Sequence, residues 1–145
     1  MTKIDDRLLK IIQRRLGYTD QEFEKFKNEP RNIELIAKSK EYAEKYIVLK
    51  VVDSHGCNSN HKVGDKFYFD FAGNILTDLC PKRICGYALN NALMLVYTAN
   101  EMIYAGVDPH EIRFKRSSCF DVGIECGGWG KIVLELTIEE KAAEK

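Results

Sequence analysis

Apolar and polar positions alternate in two different rhythms along this chain, and the rhythm changes once. From the start to about residue 45 the apolar positions recur at helical spacing. Leu8, Ile12 and Leu16, with Leu9 and Ile11 beside them, form one stripe. Gly17 is a good stop for that helix. Thr19-Asp20-Gln21-Glu22 matches a capping box, which opens a second helix whose apolar face carries Phe23 and Phe26. Pro30 suits the first turn of a third helix through Ile33, Ile36, Ala37 and Tyr42.

At Tyr46 the helical rhythm gives way. Tyr46 to Val52 is β-branched and compact and reads as a strand. Val63-Gly64-Asp65 and Ala72-Gly73-Asn74 are turn chemistry on either side of a strand-like aromatic run, Lys66 to Phe71. A long helix is expected to open at Cys80-Pro81. Its apolar stripe is Ile84, Ala88, Ala92, Leu95, Ala99 and Met102, and Gly106 with Pro109 stops it. Ile112 to Lys115 is a short strand candidate, and Lys131 to Ile138 is the closing strand. The tail from Glu139 to Lys145 is polar and expected to fray. The pattern predicts an α+β fold, with a helical lead (1–45) followed by a small, mainly antiparallel sheet packed on one long helix (46–145).

Composition narrows the class. The chain has 145 residues, ordinary for one domain, with 45% apolar and 30% charged residues. Lys+Arg and Asp+Glu both number 22, so there is no basic excess of the kind phosphate-driven nucleic-acid binding needs. Arg14-Arg15 and the group Arg113, Lys115 and Arg116 read as solvated faces. No apolar run reaches the length of a membrane span, and Met1-Thr2-Lys3-Ile4-Asp5-Asp6 has no apolar signal core. The expected setting is the cytoplasm, where thiols stay reduced, and an odd cysteine count argues against a full disulfide framework.

The candidate chemistry is concentrated. All five cysteines and all three histidines lie between His55 and Cys126. Cys57-x3-His61 has metal-pair spacing, Cys80-x4-Cys85 is at its limit and Cys119-x6-Cys126 is loose. Cys57, His61, Cys80 and Cys119 are the first candidates for a zinc or iron site. Cys80, at an expected helix entrance, is also the candidate nucleophile, with His55 or His61 as base and Asp65 or Asp78 as orienter. Cys85 lies about 140° further round that helix and reads as packing. Free cysteine often packs as a small hydrophobe, and Cys119 and Cys126 divide evenly between packing and site. His110 reads as an exposed loop residue. Gly127, Gly128 and Trp129, in Cys126-Gly127-Gly128-Trp129-Gly130, could form an amide-lined ligand pocket capped by the indole. The competing reading is a tight hairpin with Trp129 anchored in the core. Asn90 and Asn91 read as the wet edge of the long helix.

Cys57-x3-His61-Lys62-Val63-Gly64-Asp65-x-Phe67, then Leu79-Cys80-Pro81, then Cys119, resembles a family of small, largely uncharacterised bacterial and archaeal domains over about residues 46–138. That family often has glycine where this chain has Asn60. The resemblance implies a fold unit with a Cys/His cluster in a prokaryotic, often anaerobic, cytoplasm. Arg116 to Asp121 is distantly similar to small hydrolases of cyclic thiazoline-type amino acids.

Three functions follow as expectations. The first is an accessory domain binding a metal or small ligand through the Cys/His cluster. The second is a small cysteine-dependent hydrolase or lyase acting on a cyclic amide or thioester-like substrate. The third is an interaction subunit that docks a partner protein through its helical lead, with homo-oligomerisation left open.

Overall fold

The computed structural model describes residues 4–142. The reading of Met1-Thr2-Lys3 and that of the last three tail residues lie outside the described residues. Contacts divide the chain into two compact units, Met1–Tyr42 and Ala43–Lys145.

The first unit is helical, as its spacing predicts. Helix α1 spans Asp6–Leu16 and ends on Gly17 at φ 70°, a left-handed position that glycine takes at little cost. Helix α2 spans Asp20–Lys27. Its capping box is complete: the Thr19 amide donates to the Glu22 carboxylate at 2.8 Å and the Glu22 amide to the Thr19 hydroxyl at 3.3 Å. Phe23 is buried and stacks on Phe26, with ring centroids 5.8 Å apart. Helix α3 spans Pro30–Ala43 and begins on its proline.

The second unit is a four-stranded antiparallel sheet with one long helix. Strands β1 (Lys45–His55), β2 (Lys66–Phe69), β3 (Arg116–Ser118) and β4 (Lys131–Glu140) lie in the order β2-β1-β4-β3. Leu49 pairs with Phe67 on one side and Leu136 on the other, and Ile47 pairs with Phe69 and Ile138. Directly opposed residues share a face, so these side chains form one apolar sheet surface. Helix α4 (Gly86–Tyr104) packs on β1, β3 and β4. Its buried stripe is Ala88, Leu89, Ala92, Leu95, Val96 and Ala99. Three alanines let the helix axis come close to the strands.

Three element boundaries differ from those the pattern predicts. The long helix starts at Gly86 rather than at Cys80-Pro81, and residues 77–79 form a separate short turn. Lys82 and Arg83 would have placed positive charge in the first turn, where the helix dipole opposes it. The short strand is Arg116–Ser118 rather than Ile112 to Lys115. Pairing there is set by Arg116 opposite Glu135, whose side chains meet at 2.6 Å, while Phe114 stays exposed under the Arg113 guanidinium. The closing strand runs on through Glu139 and Glu140. Lys66 holds Glu139 at 2.7 Å, and Glu140 pairs with Lys45.

A register shift in the β1–β4 ladder between Val51 and Asp53 fixes the site. At this bulge the 62–65 turn docks on β1: the Val51 amide donates to the Asp65 carbonyl at 2.8 Å and the Gly64 amide to the Val51 carbonyl at 2.9 Å. The loop from Gly56 to His61 therefore swings out at the end of β1 and returns beside it. The Ser54 hydroxyl ties it down by donating to the His61 carbonyl at 2.6 Å. Asn60 turns within this loop at φ 58°, the sole non-glycine residue with positive φ among those described. That conformation suits glycine best and asparagine next.

Candidate functional site

Three loops meet at one end of the sheet. The Cys57–His61 loop leaves β1 there, α4 begins there, and the β3–β4 connection passes there. Between them lies a cavity of about 570 Å³ whose wall includes Cys57, Ser59, His61, Cys85, Cys119 and Trp129. Of the five cysteines and three histidines, Cys57, His61, Cys85 and Cys119 line this wall, which differs from the expected set by one exchange.

That exchange is Cys85 for Cys80. Cys80 sits after the short 77–79 turn, and its Sγ accepts the Tyr68 amide at 3.3 Å beside β2. Burial pushes its thiol up, against the opposing pull of the Tyr68 amide. It is neither at the helix entrance nor on the cavity wall. Cys85 is the residue immediately before α4. Its side chain makes no hydrogen bond of capping geometry. Burial alone would raise its thiol, but the Ser59 hydroxyl and the amides of Ala88 and Tyr87 outweigh burial and hold it below the ordinary 9.0. The helix N-terminus adds positive potential in the same direction. The helix does not run from Cys80, so the 140° separation expected between the two thiols does not apply.

His61 is 3% exposed. Its ring lies edge-on to Phe67, with centroids 5.1 Å apart. Nδ1 faces Asp65 Oδ2 at 3.8 Å, while Nε2 is sealed from solvent and has no partner among the described residues. Burial pushes the imidazole below its ordinary 6.5, and the Asp65 carboxylate pulls the other way. At neutral pH the ring is therefore uncharged. A proton on Nδ1, the side facing Asp65, leaves Nε2 as a bare acceptor. His55 is exposed at the end of β1, and His110 is exposed with its Nδ1 2.8 Å from Asp108.

Cys119 is committed to structure. Its thiol donates to the Asp121 carbonyl and accepts the Ile132 amide, both at 3.4 Å. Cys126 is exposed. The expected set of Cys57, His61, Cys80 and Cys119 does not assemble. Among the described residues no three His, Cys, Asp or Glu side chains gather closely enough to hold a metal ion.

The glycine-rich loop does form a nest of amides, and its anion is internal. Asp121 Oδ1 accepts the amides of Gly123 and Trp129 at 3.0 and 3.1 Å, and Oδ2 accepts Gly130 at 3.2 Å. The Gly123 and Gly130 amides are the main reason that this carboxyl lies below its ordinary 3.8. A Cβ on Gly128 would fall 2.0 Å from Asp121 Oδ1, so the chain can wrap the carboxylate only with glycine there. Trp129 is 75% exposed, which overturns the reading of a core anchor. It stands at the cavity wall with Tyr87 and Phe120, themselves 71% and 68% exposed, whose rings lie 6.3 Å apart. Asn90 and Asn91 are exposed, and Asn91 reaches the Ser118 carbonyl at 3.4 Å.

No helix of the described residues is long and apolar enough to cross a membrane. No family model, curated protein or solved structure matches the chain.

Proposed function

We infer that the cavity is a binding site for a small organic molecule and that it works through the Cys85 thiolate, with His61 and Asp65 as base and orienter. The observation that carries this reading is the shared wall. A thiol at a helix entrance and a buried, uncharged imidazole belong to residues of the same cavity wall. Compared with the sequence expectation, the nucleophile moves from Cys80 to Cys85, and of the alternatives His55 or His61 and Asp65 or Asp78 this reading takes His61 and Asp65.

The chain's single tryptophan makes the reading testable, because Trp129 stands on the cavity wall. The reduced protein is treated with one equivalent of iodoacetamide. Cys85 is expected to be modified before the more exposed Cys126, and Trp129 emission should change in step. Cys85→Ala should abolish the emission change. Modification of Cys126 first, with no response from Trp129 when Cys85 is eventually labelled, would remove the support.

A further inference from the structure

Helices α1, α2 and α3 carry five charged residues each, within 11, 8 and 14 positions. Helix α4 carries one, Glu101, in 19. A helix with one face on a sheet ordinarily turns charge to water, whereas a helix that is apolar all round is covered on every side. The face of α4 opposite its buried stripe holds Tyr87, Met94 and Tyr97, 71%, 63% and 61% exposed, with Leu93 beside them. Phe120, next to Tyr87, extends this surface. We propose that this face is the interface of a symmetric dimer, in which α4 packs antiparallel on the α4 of a second copy of the chain.

Area, charge and symmetry select a second copy as the occupant. With Asn90, Asn91 and Glu101 between them, these side chains offer roughly 800 Å² per copy, the share each partner gives to an interface of standard size. The face carries no group of charges for a partner of opposite sign to answer. A nearly neutral surface is complementary to itself, as a two-fold interface requires. Its polar groups are partly satisfied at home: the Thr98 hydroxyl donates to the Met94 carbonyl at 2.7 Å and the Asn91 amide to the Ser118 carbonyl at 3.4 Å. Covering them therefore costs less than covering bare donors. Tyr87, Met94 and Glu101 are spaced seven apart, so they drift only about 20° per step and follow one line along the helix. An antiparallel two-fold centred on Met94 sets Met94 against its own copy and Tyr87 against Glu101, whose carboxylate accepts a hydrogen bond from the phenol. A parallel pair would instead set the two Glu101 carboxylates side by side, where they repel. Tyr87 also stands on the cavity wall, so the antiparallel pair brings Glu101 of the second copy to the rim of the site.

The test weighs the full chain, reduced, by sedimentation equilibrium at about 1 to 100 μM, the range in which an interface of this size associates. The wild-type chain should become dimeric across that range. Met94→Lys puts two ammonium groups together at the centre of the interface and should weaken association at least about hundredfold. Val63→Lys, at a position also 63% exposed but in the turn beside β1, should leave association unchanged. Circular dichroism checks that both variants fold. Orientation is read by mild oxidation and peptide mapping. Met94→Cys should link two chains through position 94. Glu101→Cys should not link through position 101, because its two copies lie about 20 Å apart in the antiparallel pair. A wild-type chain that stays monomeric throughout, or a dimer that Met94→Lys leaves intact, would overturn the proposal. Linkage through position 101 and not through position 94 would overturn it as well.

Discussion

Replacing Gly130 with alanine should cost the second unit at least about 3 kcal/mol, a large share of a stability that in domains of this kind is about 5–15 kcal/mol. The reason is a backbone crossing. A Cβ at Gly130 would lie 2.0 Å from the Gly56 carbonyl oxygen, 2.1 Å from its carbon and 2.5 Å from the His55 carbonyl oxygen. All three are main-chain atoms at the end of β1, and none can rotate away. Relief requires β1 and β4 to separate where His55 pairs with Lys131, which is also where the cavity loop departs. Gly73→Ala is the matched control. It also sits in a turn, at φ 82°, but meets nothing within 4 Å, so it should cost only about 1–2 kcal/mol in backbone strain. Urea midpoints for the two variants should differ clearly. Equal midpoints would mean that the β1–β4 junction is looser than described.

Phe67→Ala should be comparably damaging for another reason. Phe67 is fully buried, pairs with Leu49 across β2 and β1, and supports the edge of the His61 ring. Removing a buried phenyl group typically costs about 3–5 kcal/mol. The site should register the change as well. His61 is held below its ordinary value chiefly by burial, so a void at Phe67 that admits water should let its titration rise towards 6.5. Proton NMR of the imidazole in Phe67→Leu, a milder change that keeps the fold, reads this separately from stability. A titration unmoved in Phe67→Leu would show that Phe67 does not keep His61 dry.

These two residues also show what could be read before the fold was seen. Local rules worked where a side chain acts on its own neighbours. Thr19 and Glu22 announced α2, Gly17 ended α1, and the alanine stripe of α4 was plain from its period. They failed where a distant partner decides. Arg116 enters a strand because Glu135 lies opposite, and Glu139 and Glu140 stay in β4 because Lys66 and Lys45 lie alongside. Gly130 looked like hairpin chemistry, and nothing local revealed that Gly56 passes beneath it.

The candidate site divides in the same way. His61 with Asp65 is a short-range pair, four residues apart, and was readable. The glycine loop was readable as an amide nest, but its anion, Asp121, comes from the same loop rather than from a ligand. Cys80 and Cys85 were the harder choice, because it turned on where one helix begins. The helix begins at Gly86, which sets its entrance, with its amides, at Cys85 rather than at Cys80.

The rate of alkylation at Cys85 and at Cys80, followed by mass spectrometry as a function of pH in one reduced sample, tests that assignment most directly. Thiolate is the reacting form, so each rate rises through its own thiol's titration. The account predicts a midpoint for Cys85 below the ordinary 9.0 and a midpoint for Cys80 above it. Coincident midpoints, or Cys80 titrating first, would contradict it.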